Sequence, residues 1–209
     1  MTLYIAPIVE GHTEAKCAEL LLQRIWTGLL RGPERMQVLR PYRGNRDALV
    51  HPNRADLADK IKEAYADLSR RLRHDSSGRG LLLLLLDAEE DCPATLAPRL
   101  LARAKAARSD ADIACVLANR ELENWFKAAA ASLAGLCGLP NDLSVPANPE
   151  KGSGDSWLTR QIQKQNRHRK YTKPTDAVEL AKRMDIPQCR DHSPSFDKLC
   201  RELEARVLA

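Results

Sequence analysis

Short apolar runs and longer amphipathic stretches alternate along the first 135 residues of the chain. The apolar runs have the length of buried strands and lie at residues 3–9, 36–39, 81–86 and 113–117. Apolar residues at helical spacing mark residues 15–29, 57–72, 93–107 and 119–136. This order predicts a Rossmann-like α/β fold, in which a parallel sheet carries helices on both faces through right-handed crossovers.

The composition of the chain changes after this alternation. Residues 138–156 are rich in Pro, Gly, Asn and Ser, which predicts a long loop. Two closing helices are predicted at residues 175–184 and 195–207. We therefore expect an α/β domain over residues 1–137, followed by a loop and a helical C-terminal extension over residues 138–209 that packs on this domain.

Acidic residues follow three of the predicted strands. The six leucines at residues 81–86 lead directly into Asp87, Glu89 and Asp91. Glu10 and Glu14 follow the first strand, and Glu121 and Glu123 follow the last. Because the carboxyl ends of parallel strands lie along one edge of a sheet, we expect these carboxylates to meet there.

Carboxylate oxygens in such number are the ligands that Mg²⁺ and Mn²⁺ prefer. The predicted metal ligands are Glu10, Asp87, Glu89, Asp91, Glu121 and Glu123. An alternative stays open for Glu14, Glu121 and Glu123, because an acid in the first turn of a helix also stabilises the helix macrodipole.

The overall composition limits the class of protein. Apolar residues make up 44% of the chain and charged residues 29%, which excludes wholesale disorder. Six scattered cysteines without a Cys-x-x-Cys pair predict reduced thiols. The longest apolar run is too short for a membrane span and the N-terminus does not resemble a signal peptide, so we expect a cytoplasmic protein with no membrane partner. There is no P-loop motif for ATP hydrolysis.

A net charge of +5 permits nucleic acid as a partner. Residues 157–173 contain six Lys or Arg and no acid, and Trp157 and Tyr171 are available there to stack on bases. The predicted nucleic-acid-binding residues are Arg160, Lys164, Arg167, Arg169 and Lys170. The alternative is a solvated helix face or a loop.

A second basic patch, before the central strand, contains Arg40, Arg43 and Arg46, and a loop is predicted for residues 41–53. These side chains either contribute to binding or only keep the loop soluble.

Two motifs resemble those of the Toprim fold. Residues 8–14, Ile-Val-Glu-Gly-His-Thr-Glu, resemble its first motif, and residues 85–89, Leu-Leu-Asp-Ala-Glu, resemble its second, Asp-x-Asp after a central strand. Further motifs are similar to those of small stand-alone Toprim proteins, the DUF4276 family: Glu121-x-Glu123-x-Trp125, Lys170-Tyr171-x-Lys173 and Ser193-x-Ser195-Phe196. That family is similar to the nuclease half of the OLD-type (overcoming lysogenisation defect) proteins, and the resemblance covers nearly the whole chain.

The resemblance implies a Toprim-like fold and a set of roles. It implies catalytic or acid/base roles for the acids of the first motif and for Asp87, and a lysine in the site: Glu10, Glu14, Asp87 and Lys173, with Lys170 as the alternative lysine. Glu89 stands where the Toprim pattern has Asp, so its longer side chain changes the reach of that ligand. Glu121 and Glu123 match acids that support a second metal, which gives one or two Mg²⁺ or Mn²⁺ ions.

The function that follows is metal-dependent cleavage of nucleic acid phosphodiester bonds, with DNA the favoured substrate. The resemblance implies a setting in phage defence or a mobile element, beside a separately encoded ATPase. The alternatives are a non-catalytic metal- and nucleic-acid-binding Toprim module acting with a partner ATPase, and another phosphotransfer enzyme of the primase-like kind. A homodimer is compatible with the small size of the chain.

Overall fold

The computed structural model describes residues 1–207 and is built around a five-stranded sheet. The strands are β1 (Thr2–Val9), β2 (Arg35–Val38), β3 (Tyr42–Arg43), β4 (Arg79–Asp87) and β5 (Ile113–Ala118). Their order across the sheet is β2-β1-β4-β5, with β3 beside the last residues of β1, and every pairing is parallel. All five carboxyl ends therefore point toward the same edge, which we call the rim.

Helices surround this sheet and continue to the end of the described chain. They are α1 (His12–Arg24), α2 (Arg46–Val50), α3 (Asp56–His74), α4 (Pro93–Ala107), α5 (Glu123–Ala128), α6 (Gly154–Gln165), α7 (Lys173–Arg183), α8 (Ile186–His192) and α9 (Pro194–Val207). A π-helical turn, Ile25–Leu29, extends α1. The architecture confirms the predicted Rossmann-like α/β class with a helical C-terminal extension.

The leucine run of β4 explains why both faces of the sheet are covered. Successive side chains of a strand point to opposite faces, and all six leucines are buried. Leu81, Leu83 and Leu85 belong to a core shared with α1, α5 and the C-terminal helices. Leu82 and Leu84 belong to a second core shared with α3 and α4. Because β4 is buried on both faces, its leucine run does not alternate with polar residues.

The C-terminal extension is joined to the sheet through Trp125 of α5. The Trp125 and Phe196 rings meet edge to face with centroids 5.1 Å apart. Trp125 Nε1 donates a hydrogen bond of 2.8 Å to Ser195 Oγ. Two of the motifs noted in the sequence thus form one buried contact, and the extension and the sheet share a single hydrophobic core.

Two predicted segments were wrong in detail, and one helix was missed. The loop predicted for residues 41–53 contains β3 and α2, and the Asn45 side chain caps α2 by accepting a 3.1 Å hydrogen bond from Ala48 N. The helix predicted through residue 136 ends at Ala128 and gives way to 3₁₀ turns. Helix α8 was not predicted. These elements have two to seven residues, too few for a hydrophobic period to appear.

Within residues 1–207, no helix has both the length and the apolar character needed to cross a membrane.

The double-sided burial of β4 predicts the cost of truncating it. Leu83→Ala and Leu84→Ala each leave a cavity in a different core, so each should lower the free energy of unfolding by about 2–5 kcal/mol. Urea denaturation followed by circular dichroism measures this. Lys62→Ala, at an exposed position of α3, should change the stability by less than about 0.5 kcal/mol. A loss confined to one of the two leucine variants would contradict a sheet covered on both faces.

Candidate active site

Acidic side chains from three parts of the sheet meet at the rim. The sequence predicted this from the acids that follow three of the strands. Glu10 follows β1, Asp87 is the last residue of β4, and Glu123 is the first residue of α5, just after β5. The parallel register pairs Ile8 with Leu84 and Asp87 with Ala118, which places these three strand ends side by side. Their proximity is a direct result of strand direction and register.

The Lys173 ammonium lies among three carboxylates of the rim, those of Glu14, Asp87 and Glu123. Its Nζ is 2.6 Å from Glu14 Oε1, 3.4 Å from Glu123 Oε1 and 4.0 Å from Asp87 Oδ2. Lys173 begins α7, which packs against α1, so the extension delivers this cation to the rim. The side chains are 33% exposed for Lys173 and 15%, 12% and 0% exposed for Glu14, Asp87 and Glu123, so solvent screens the cluster only partly.

Backbone groups orient the two central carboxylates. Asp87 N donates a 2.8 Å hydrogen bond to Glu10 Oε1, and Leu122 N donates a 2.8 Å hydrogen bond to Asp87 Oδ1. A Cβ at Gly11 would lie 2.5 Å from Glu14 Oε2, so glycine lets the Glu14 side chain fold back toward the rim. The turn after β1 and the turn after β5 therefore both serve to fix carboxylates.

Glu123 is fully buried, with an incomplete set of hydrogen bonds. Tyr171 OH donates a 3.1 Å hydrogen bond to Glu123 Oε1, whereas Glu123 Oε2 has no hydrogen-bond partner among the described residues. Burial raises the pKa of Glu123, opposed by the Lys173 charge. Tyr171 is itself only 6% exposed, so the prediction that its ring is available for stacking on bases was wrong.

The crowding of acids shows in the pKa values of the rim. Burial is the main reason why the pKa of Asp87 lies well above its ordinary value; Lys173 opposes this shift and the neighbouring carboxylates add to it. Burial also raises the pKa of Glu10. For Lys173, burial alone would lower the pKa, but the carboxylates of Glu123 and Glu14 outweigh it and raise the pKa. The lysine therefore stays charged at neutral pH.

A second acidic group adjoins the first through the start of α6. Glu121 Oε1 accepts hydrogen bonds from Ser153 Oγ at 2.8 Å and from Asp155 N at 2.9 Å. Burial and the Glu121 charge raise the pKa of Asp155, and Lys173 opposes the shift. Sequence reasoning missed Asp155 because it lies in the segment predicted as a loop. Its position two residues after the helix-capping Ser153 is the signal that marks a first-turn acid.

The loop before α6 is held against α5 by buried polar side chains. Asn124 Nδ2 donates hydrogen bonds to Glu150 O at 3.2 Å and Gly152 O at 3.1 Å, and Lys127 Nζ donates one of 2.7 Å to Lys151 O. A Cβ at position 154 would lie 2.5 Å from the Glu123 carbonyl carbon, so only glycine allows this approach. These contacts set Asp155 beside Glu121.

The remaining predicted metal ligands face Arg46, away from Lys173. The buried Arg46 guanidinium donates to Asp87 O at 3.1 Å and Ala88 O at 2.7 Å, and it pairs with Asp91 and, at 3.5 Å, with Glu89. Glu89 has a φ of 52°, a left-handed conformation, and its N–H donates to Arg120 O at 2.7 Å. Arg46 is therefore part of the rim, which its place in a predicted loop did not indicate.

The predicted nucleic-acid-binding residues lie in and after α6. Arg160, Lys164, Arg167 and Lys170 are exposed. Arg169 instead pairs with the buried carboxylate of Asp176 at 3.0 Å, an ion pair that holds the turn before α7.

The donor chemistry of the rim fits a hard divalent cation, although the carboxylates already surround the Lys173 ammonium. Within residues 1–207, no group of three or more His, Cys, Asp or Glu side chains is arranged so that it could hold a metal ion. The donors are nonetheless carboxylate oxygens, and Glu123 Oε2 is buried without a partner. A metal ion and the Lys173 ammonium would therefore compete for the same oxygens.

Comparison with known proteins gives one match. A family model described as a domain of unknown function (DUF4276) matches residues 9–204. This range contains every rim residue from Glu10 to Lys173. Neither the curated proteins nor the solved structures give a match.

In metal-free protein, the three rim carboxyl groups with raised pKa values should destabilise the fold as the pH rises above about 4, the ordinary carboxyl pKa in an unfolded chain. The pKa values of Glu10, Asp87 and Glu123 are raised in the folded state. Between the unfolded and folded pKa values the folded protein holds more protons, so rising pH favours unfolding. Urea denaturation of Asp87→Asn should show greater stability than the original protein at pH 7.5, with a difference that shrinks toward pH 4.5.

Glu19→Gln, at an exposed position of α1, should follow the original protein at every pH. An Asp87→Asn protein less stable at pH 7.5 would contradict the view that the buried Asp87 charge is unfavourable.

Proposed function

The chain belongs to the DUF4276 family, and we propose that it is a metal-dependent nuclease that cleaves nucleic acid phosphodiester bonds, with DNA as the favoured substrate. One observation carries this proposal. Carboxylates from separate elements, Glu14, Asp87 and Glu123, converge around Lys173 at the carboxyl edge of a parallel sheet, and Asp87 N holds the Glu10 carboxylate there as well. Ligand sites of parallel α/β sheets lie at this edge, and paired acids with a lysine suit reactions at phosphorus.

We also propose that the fold is Toprim-like and similar to the nuclease half of the OLD-type proteins. Two features support this. The Glu-Gly turn follows β1, and the Asp-x-Glu pair begins at the last residue of the central strand β4, which lies beside β1. The parallel sheet with helices on both faces is compatible with that fold.

The residues proposed to hold Mg²⁺ or Mn²⁺ are Glu10, Glu14, Asp87 and Glu123, with Glu121 and Asp155 beside them for a second ion. Such ions, when bound, polarise a phosphoryl group and favour attack by water. Glu89 and Asp91, the other predicted ligands, would first have to leave Arg46.

The chain's own side chains would then perform distinct tasks. The Lys173 ammonium remains protonated and lies where it can offset negative charge that develops on phosphoryl oxygens. Glu10 has a raised pKa and is held by Asp87 N, which suits a carboxylate that accepts a proton. The buried position of Glu123 keeps water away from one side of the cluster.

Exposed cations in α6 and in the turn before α7 support a polyanionic substrate. Arg160, Lys164 and Lys170 lie in or just before the segment that carries Lys173. The setting we propose is phage defence or a mobile element, with a separately encoded ATPase as a partner, since the chain contains no P-loop. A homodimer remains part of this proposal.

A specific observation favours one alternative function. Lys173 already neutralises the cluster, and no group of three or more potential ligands in residues 1–207 is arranged to hold a metal ion. A non-catalytic module could use this ion cluster only to hold α7 against the sheet while it acts with a partner.

A DNA cleavage assay distinguishes the nuclease from the non-catalytic module. Purified protein with Mg²⁺ or Mn²⁺ should convert supercoiled plasmid into nicked or linear DNA, and Glu10→Gln and Asp87→Asn should each lower the rate by about 100-fold or more, as expected for groups that act in the chemical step. Glu19→Gln serves as the control on α1 and should cleave at the original rate. Protein that folds and binds DNA yet leaves it uncut with either metal would rule out the nuclease.

Metal binding tests the competition with Lys173 independently of activity. Lys173→Met removes the ammonium from the carboxylate cluster, so calorimetry should show Mn²⁺ binding about tenfold tighter, equivalent to about 1.4 kcal/mol. Lys170→Met, an exposed lysine three residues earlier, should leave the affinity unchanged. Equal affinity of the Lys173→Met and original proteins would show that the metal does not use these oxygens.

A further inference from the structure

A groove runs along the β3 edge of the sheet, outside the acidic rim. It consists of two adjoining pockets that share Arg40, Tyr42 and Asp67. One wall is the segment from β2 to β3, and the other is a face of α3. We call this feature the β3 groove.

Basic side chains dominate the lining of the β3 groove. They are Arg40, Arg43, Lys60, Arg70, Arg71 and His74. Its two acids are already compensated. Lys60 Nζ lies 2.7 Å from Glu63 Oε2, while Asp67 accepts from Tyr42 OH and pairs with Arg70.

The other basic side chains of the groove have no such compensation. Arg40, Arg43, Arg71 and His74 are exposed, and none of them forms an ion pair with a carboxylate in the part of the chain that the structure describes. Three guanidinium groups with free N–H donors therefore face one depression. A planar guanidinium presents paired donors that match the oxygens of a phosphate.

The β3 groove ends where the acidic rim begins. Arg43 pairs in register with Val9, and Gly44 N donates a 3.0 Å hydrogen bond to Val9 O. Glu10 follows Val9 directly in the chain. Asn45, Arg46 and Asp47, which follow directly in the chain, line a cleft together with Glu10, Glu14 and Glu89. One continuous segment, residues 40–47, thus borders both the basic groove and the acidic cleft.

We propose that the β3 groove binds the phosphodiester backbone of a nucleic acid and leads it to the rim. The role of the rim in this statement rests on the proposed function, whereas binding in the groove does not. A surplus of guanidinium groups suits a ligand with regularly repeated negative charge, and the position of Arg43 next to the turn that carries Glu10 gives that ligand a path to the carboxylates. The residues concerned differ from those of α6 and the turn after it.

Charge reversal of two unpaired arginines tests the groove. Binding of a fluorescent 20-nucleotide duplex DNA, single-stranded DNA and duplex RNA is measured by anisotropy in EDTA, so that cleavage plays no part. Arg40→Glu with Arg71→Glu should weaken binding at low salt by about tenfold or more, and should reduce the slope of log affinity against log salt by about two. The probe with the largest loss identifies the backbone that the groove accepts.

The matched control carries the same change in charge elsewhere. Lys62→Glu with Arg99→Glu alters two exposed cations that line neither pocket, and should retain a salt slope close to the original. Thermal melting establishes that both double variants fold, and the single variants Arg40→Glu and Arg71→Glu should each reduce the slope by about one.

The two proposals fail in different ways. If the groove variant binds all three probes as tightly as the control variant, the β3 groove is not the binding surface, whether or not the protein cleaves DNA. If the groove variant loses binding but the original protein cuts no nucleic acid with Mg²⁺ or Mn²⁺, the β3 groove is supported as a binding surface and the nuclease proposal is contradicted.

Discussion

The contact between the Lys173 ammonium and the rim carboxylates is the interaction on which the rest of the arrangement depends. Glu14, Asp87 and Glu123 come from three different elements, and like charges at this separation and burial repel one another strongly. One cation from α7 offsets that repulsion. The same contact fastens the C-terminal extension to the sheet, so electrostatic balance at the rim and docking of the extension are a single event.

The rim is divided into two electrostatic halves by the turn after β4. On one side, Asp87 faces Lys173; on the other, Glu89 and Asp91 face Arg46. Arg46 also holds the carbonyl oxygens of Asp87 and Ala88. The left-handed Glu89, secured by its hydrogen bond to Arg120 O, marks the point where the chain reverses between the two halves. Strained backbone of this kind is often found at functional sites.

The parts of the fold that follow from long apolar periods were predictable from the sequence. The leucines of β4 are buried on both faces, so the strand and the covering helices could be inferred, and strand direction then brought Glu10 and Asp87 together. Arg46 was noted only as part of a basic patch and Asp155 was not identified, because their roles depend on carbonyl and carboxylate groups distant in sequence. Lys173 was expected only from a resemblance, since no local pattern distinguishes it from Lys170.

The late position of Lys173 has a consequence for biosynthesis. The rim acids Glu10, Asp87 and Glu123 leave the ribosome long before residue 173. The partners of the buried Trp125, Ser195 and Phe196, are synthesised later still. The sheet can begin to form as it emerges, but its rim then carries concentrated negative charge without the internal cation. Chain synthesis is vectorial, so the site is assembled in its closed form only when the last third of the polypeptide has folded back.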